Sequence, residues 1–232
     1  MKSICIIPAR GGSKRIPRKN VKNFLGKPII SYSIETALKS DIFDEVMVST
    51  DDDEIAEVAR LYGAAVPFMR SAHTASDFAT TADVINEVLD SYAANGKEFD
   101  TVCCLYATAP FVTPVRLQEA ADIIAAGEFD SAFTCVEFSY PVLRSLVVNS
   151  EGRISMKWPE FKNSRSQDLE RFYHDAGQFY FATMDVYRTT GFWGPNTYPI
   201  ILSELEVQDL DTPTDWALAE IKFQLLKSIN QA

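Results

Sequence analysis

Runs of apolar, strongly β-branched residues alternate along this chain with segments of helical spacing, and that alternation leaves few folds open. Ser3–Ala9 is apolar on both faces, as a strand buried within a parallel sheet must be. Helical spacing follows over Pro28–Lys39, through Ile30, Ile34, Ala37 and Leu38. A second strand is expected at Glu45–Thr50 and a helix at Asp52–Tyr62, capped by its leading aspartates. The pattern repeats with a helix at Thr80–Ala94, a strand at Thr101–Tyr106, a helix at Pro114–Ala126 and a strand at Ser131–Val136. Strands separated by helices of this length predict an α/β fold built on a mostly parallel sheet.

Regularity breaks at Phe138. Pro141, a turn at Asn149-Ser-Glu-Gly152, Pro159 and mixed charges read as an antiparallel hairpin or arm inserted into the sheet fold, over about 138–171. Its apolar residues, Tyr140, Leu143, Leu146, Val147, Trp158 and Phe161, predict that it pairs two copies as a homodimer. Gly177–Ala182 returns to a strand, and a short helix follows. Tyr198–Ser203 and Glu206–Leu210 read as short extended pieces, and Pro213–Ile229 as a closing helix with Thr212 as its cap. With 232 residues and 47% hydrophobic content, a single domain over 1–232 with its inserted arm is expected.

Charge narrows the function. The net charge of −10 disfavours nucleic-acid binding, and no apolar run approaches the roughly 20 residues that span a bilayer. The N-terminus reads as a first strand rather than a targeting signal, so the cytoplasm is the expected location. Cys5, Cys103, Cys104 and Cys135 each lie in an apolar run and are expected to be buried thiols. Against this acidic background, seven of the 22 basic residues fall between Arg10 and Lys27, and the first acid of the chain is Glu35. Such a patch suits a small, highly anionic ligand.

The patch sits where ligands bind in open parallel sheets, beyond the carboxyl end of the first strand. The run Arg10-Gly-Gly-Ser-Lys-Arg-Ile-Pro-Arg-Lys-Asn20 lets backbone N–H groups approach phosphate oxygens while its cations offset their charge. It is neither a Walker A loop nor a dinucleotide fingerprint. Cations inside the loop favour an enzyme that grips a triphosphate and stabilises departing pyrophosphate. A nicotinamide-dependent oxidoreductase with Asp51 on the ribose lacks its glycine fingerprint. A non-catalytic nucleotide sensor on the same fold would bind a nucleotide without releasing pyrophosphate, and the Arg10–Lys19 loop together with Asp209 and Asp211 argues against loss of catalysis.

Ile7-Pro-Ala-Arg-Gly-Gly-Ser-Lys-Arg-Ile-Pro-Arg-Lys-Asn20 resembles the signature of the CMP-sialic acid synthetases, or acylneuraminate cytidylyltransferases. Val48-Ser-Thr-Asp51, Ala75-Ser-Asp-Phe-Ala-Thr-Thr81, Gly177-Gln-Phe-Tyr180 and Asp209-Leu-Asp211 resemble further family segments in order. Asn163–Tyr180 is most similar to the pseudaminic acid branch. The resemblance implies a Rossmann-like domain, a dimerisation arm, and transfer of CMP from CTP to an acidic nine-carbon sugar for cell-surface or flagellar glycans. It implies dependence on Mg²⁺ (or Mn²⁺).

Arg10, Ser13, Lys14, Lys19 and Asn20 match the family's loop for CTP phosphates and ribose, and Arg10 and Lys14 would spread charge on the leaving pyrophosphate. Arg15 and Arg18 either assist or decorate the surface. Arg70 and Thr81 match positions near the base and ribose. Asp209 and Asp211, two apart in an extended stretch, share a face and supply hard oxygen ligands for the metal; Asp211 is also a candidate general base. Leu105-Tyr-Ala-Thr-Ala-Pro110 falls where the sialic acid enzymes usually have Gln-Pro-Thr-Ser-Pro, so Tyr106 replaces a glutamine near the sugar. That departure points to pseudaminic rather than sialic acid. Arg144 and Arg165 roughly match cationic sugar-binding positions, Arg165 being preferred for the sugar carboxylate, while His174 and Gln178 are expected to read acylamino or hydroxyl groups.

Overall fold

The structure is a computed structural model that describes residues 1–229. In chain order its elements are β1 (Ser3–Pro8), β2 (Asn23–Phe24), β3 (Lys27–Pro28), α1 (Ile29–Ser40), β4 (Glu45–Ser49), α2 (Asp53–Leu61), α3 (Thr81–Ala94), β5 (Thr101–Leu105) and α4 (Pro114–Ala126). Then come β6 (Ser131–Glu137), β7 (Leu146–Val148), β8 (Ile154–Met156), β9 (Tyr173–Thr183), α5 (Met184–Thr190), β10 (Thr197–Leu202) and α6 (Pro213–Ile229). Six strands form one sheet in the order β10-β6-β9-β5-β1-β4. Every pairing in it is parallel except those of β9, which runs antiparallel to β5 and β6. The α/β reading of the sequence therefore holds.

Alternation along β1 divides the core. Cys5 and Ile7 face the side covered by α1, α2 and α4, where Ile34, Ile55 and Leu117 pack. Ile4 and Ile6 face α3 and α5, where Ile85, Val88 and Tyr187 pack. The four cysteines are free and buried, as expected. A third cluster joins Ile16, Phe24, Ile29 and Phe111 to Trp216 and Ala219 of α6. The caps also follow the sequence. Asp52 accepts the N–H of Ile55, and Thr212 and Asp215 bond each other's backbone N–H at the start of α6. Among the described residues no helix is long and apolar enough to cross a membrane.

Three expectations need correction. The basic stretch is not all loop: a 3₁₀ turn at Lys19–Val21 and the β2–β3 ladder lie inside it. Glu206 belongs to a 3₁₀ turn, Glu204–Glu206, that follows β10, and the extended chain after it runs without a partner strand to α6. Strand β9 begins at Tyr173 rather than Gly177, because Tyr173, His174 and Asp175 pair with Glu137, Val136 and Cys135. The pairing register shifts between Phe133 and Cys135. Opposite that shift Gly177 takes φ +61°, a conformation that glycine adopts without strain. The 138–171 segment carries the β7–β8 hairpin, closed by a turn in which Gly152 N–H donates to Asn149 O.

The direction of β9 matters for function. Being antiparallel, it brings its N-terminal residues to the edge where β1, β5 and β6 end. The segments after β1, β5 and β10 therefore meet the start of β9 at one place.

Candidate active site

The loop after β1 is fixed before any ligand arrives. Gly11 N–H donates to Asp51 Oδ1 at 2.9 Å, and the Asn20 side-chain amide donates to Arg10 O at 2.9 Å. A Cβ on Gly11 would stand 2.7 Å from Asp52 Oδ2, so the backbone here approaches a carboxylate as only glycine allows. Ile16, 2% exposed, anchors the loop tip in the cluster around Trp216. With that residue turned inward, Lys14 and Arg15 project outward.

Each loop cation meets an acceptor. Asp77 bridges Arg10 and Lys14, Arg15 pairs with Asp211, and Arg18 pairs with Asp52 and Glu54. Arg18 holds a left-handed backbone, φ 55°, and its paired carboxylates push its pKa further up. Lys19 Nζ donates to Leu210 O at 2.9 Å; burial pushes its pKa down against the opposing pull of Asp211 and Asp209. The pairs of Arg10, Lys14 and Arg15 are solvent-exposed, a class of ion pair that contributes little to stability. A triphosphate carries several charges where each of these carboxylates carries one, and can displace them.

The opposite wall comes from the segment before α3. Arg70 is 8% exposed rather than a surface cation: it donates to Ser49 O and, at 3.0 Å, to Ser49 Oγ. Desolvation lowers its pKa, but a guanidinium keeps its proton. Thr80, not Thr81, caps α3, which leaves the Thr81 hydroxyl 3.4 Å from Tyr106 Oη. Arg10, Ser13, Lys14, Lys19, Asn20, Arg70 and Thr81, all expected on the nucleotide, line one cavity of about 510 Å³.

A second cavity of about 610 Å³ adjoins it, with Lys19, Tyr106 and Thr108 on the walls of both. His174, Asp175, Gln178, Tyr180, Asp209 and Lys222 line it further in. Tyr106 and Tyr180 meet edge to face at 5.7 Å, and the Tyr180 hydroxyl donates to Asp175. Burial, then that bond, hold Tyr180 well above the usual phenol pKa, so it stays a donor. The His174 ring packs on Phe138 at 4.8 Å, with Nδ1 2.9 Å from Asp175 O; a carbonyl only accepts, so Nδ1 carries the proton. Gln178, 5% exposed, spends its amide N–H on Glu206 O. A wider groove of about 1100 Å³ lies beyond the Pro110–Pro114 turn, but Arg10, Lys14 and Lys19 do not line it.

Asp209 lines the second cavity; Asp211 lines neither cavity and pairs with Arg15, which lines the first. Leu210 between them is 1% exposed, so the alternation expected of an extended stretch survives without a strand ladder. No third His, Cys, Asp or Glu joins them in a metal-holding group among the described residues. Two carboxylates close to a cation-rich loop fit Mg²⁺, which takes one or two carboxylates and completes its octahedron with phosphate oxygens and water.

Arg144 and Arg165 lie elsewhere. Arg144 Nη1 is 3.4 Å from Ser166 Oγ, and Arg165 pairs with Asp168 on its own arm at 2.8 Å. Neither lines either cavity of its own chain. Sequence reading missed Asp77, Asp175 and Lys222. Asp77 sits within the Ala75–Thr81 run and Asp175 within the Asn163–Tyr180 run already singled out; Lys222 carries no local signal, because the carbonyls it meets belong to a separate segment, Glu204 and Val207.

The family model described as cytidylyltransferase matches residues 4–189. The chain is 44% identical to the pseudaminic acid cytidylyltransferase of Campylobacter jejuni subsp. jejuni serotype O:2, over 97% of each chain. It is 35% identical to the CMP-N,N'-diacetyllegionaminic acid synthase of Legionella pneumophila, again over 97% of each. Among solved structures, CMP:2-keto-3-deoxy-manno-octonic acid synthetase complexed with CTP shares the fold at TM-score 0.68 and 21% identity, covering 98% of this chain and 100% of that one.

Proposed function

The chain belongs to the cytidylyltransferase family, and from that premise we propose that it transfers CMP from CTP to the anomeric hydroxyl of pseudaminic acid, releasing pyrophosphate. The observation that carries the reading is the pair of adjoining cavities, one walled by loop cations and the other by Tyr106, His174 and Asp175, with Lys19 on both. The similarity to a pseudaminic acid cytidylyltransferase over nearly the whole chain supports the choice of sugar.

In this proposal CTP occupies the first cavity, with its phosphates on Arg10, Ser13, Lys14 and Lys19 and its ribose and base towards Asn20, Arg70 and Thr81. The anomeric oxygen attacks the α-phosphorus, the bond to the β-phosphate breaks, and the charge gathering on pyrophosphate falls to Arg10 and Lys14. Tyr106 and His174 border the sugar. Asp209 and Asp211 would hold Mg²⁺ (or Mn²⁺), whose contribution when bound is to neutralise phosphate charge. Asp211 is also the proposed acceptor of the hydroxyl proton.

Arg144 and Arg165 serve the sugar carboxylate only if the arm reaches a second copy of the chain. The proposed homodimer would supply that reach. A cytoplasmic location, where CTP is available, belongs to the same proposal.

Pyrophosphate release with CTP, Mg²⁺ and a panel of nonulosonic acids tests the reading. Pseudaminic acid should give much the highest kcat/KM. A preference for legionaminic or sialic acid would remove the substrate assignment and leave CMP transfer standing; no release with any acidic sugar would remove both.

A further inference from the structure

The segment that carries Asp209 and Asp211 lacks a strand partner, so its backbone groups need other partners and its path needs another restraint. Side chains from three distant places supply both. Lys222 Nζ, on α6, donates to Glu204 O at 3.0 Å and Val207 O at 2.8 Å. Gln178, on β9, donates to Glu206 O, and Lys19 of the phosphate loop donates to Leu210 O at 2.9 Å. Four carbonyls within seven residues thus accept side-chain donors. Lys19 faces the proposed nucleotide and is free to leave for a phosphate; Lys222 and Gln178 make their bonds away from the phosphate loop.

We propose that Lys222 and Gln178 are positioning residues, which hold the 204–211 backbone so that Asp209 and Asp211 present their carboxylates to one metal ion on the triphosphate. The proposal rests on the metal reading given above. Neither side chain touches a ligand in this role. Each acts by fixing the carbonyls ahead of Asp209, and losing such support leaves the aspartates present but misplaced. Gln178 thereby changes role, from a reader of the sugar to a support of the metal-holding segment.

The test reads metal binding without turnover. Mn²⁺ bound to the protein–CTP complex is followed by electron paramagnetic resonance with no sugar present, against Mn²⁺–CTP alone. Lys222→Met keeps the aliphatic stem and removes both bonds. It should weaken Mn²⁺ binding about tenfold, the scale on which supporting residues tune a metal site. CTP binding in EDTA should stay within about twofold of wild type, a split that loss of general packing would not produce. Lys222→Arg should recover most of the affinity. Gln178→Glu, which sets a carboxylate against Glu206 O, is the second variant and decides the matter if Lys222→Met does not fold. Asp211→Asn is the control. Unchanged Mn²⁺ binding in that control would sink the metal reading itself. Weakened binding in the control with wild-type binding in both Lys222→Met and Gln178→Glu would overturn the positioning role alone.

Discussion

The carboxylate of Asp77 lies 2.8 Å from the guanidinium of Arg10, across 67 residues of sequence, and its other oxygen meets Lys14. One side chain thus occupies two of the cations proposed to receive the triphosphate. Removing its charge should favour any anion that competes for them. Asp77→Asn should tighten inhibition by pyrophosphate about threefold, the scale of an exposed ion pair. An unchanged inhibition constant would show that Asp77 does not compete with phosphate.

Lys14→Ala should lower kcat for pyrophosphate release about a hundredfold or more while leaving the fold intact. Loss of one donor to a developing anion removes about 3 kcal/mol of transition-state stabilisation. Lys14 extends into solvent, so the substitution removes no core contact. Circular dichroism matching wild type together with near-normal kcat would rule the role out.

Asp52 links the loop to stability. The Arg18 guanidinium, above all, holds its carboxyl at about 2, below the usual 3.8. A lowered folded-state pKa stabilises the protein above about pH 4, and that contribution fades as pH falls towards 2. Discounted for the partly exposed guanidinium, it amounts to about 1–2 kcal/mol. Asp52→Asn keeps a good helix cap but loses the charge. It should be less stable than wild type to urea at pH 6, with roughly half that gap gone at pH 3. A gap independent of pH would assign the effect to packing.

Tyr106 should decide between sugars through its ring rather than its hydroxyl. Its contact with Thr81 is long at 3.4 Å, whereas the ring stands edge to face with Tyr180. Tyr106→Phe should leave kcat/KM for pseudaminic acid within about threefold, and Tyr106→Gln should lower it roughly tenfold by removing the aromatic pair. Equal effects of the two substitutions would contradict this.

The hairpin should hold the proposed dimer. Val148 and Ile154 are cross-strand partners, 66% and 64% exposed, with Leu146 58% exposed beside them. Light scattering at micromolar concentration should give a dimer for wild type and a monomer for the Val148→Asp, Ile154→Asp double variant. A wild-type monomer would end the dimer proposal.

By itself the sequence determined what local physics controls. Burial on both faces marked β1, β4, β5 and β6, and helical spacing marked α1 to α4. Cap chemistry at Asp52 and Thr212 placed two helix starts. The density of cations after β1 marked the end of the site proposed for phosphate, since seven like charges in a short stretch favour an anionic ligand. The β7–β8 hairpin was legible from Pro141, Pro159 and the Asn149–Gly152 turn. Only the tertiary structure decided the rest, because it depends on pairings between residues far apart in the chain. The antiparallel course of β9 between β5 and β6 follows from non-local ladder bonds that no periodicity encodes. That course carries His174, Asp175 and Gln178 to the site. The bond from Lys19 to Leu210 spans 191 residues, and that from Gln178 to Glu206 spans 28. Composition announces neither, since a carbonyl acceptor is present at every residue and only the fold selects which one a buried donor meets.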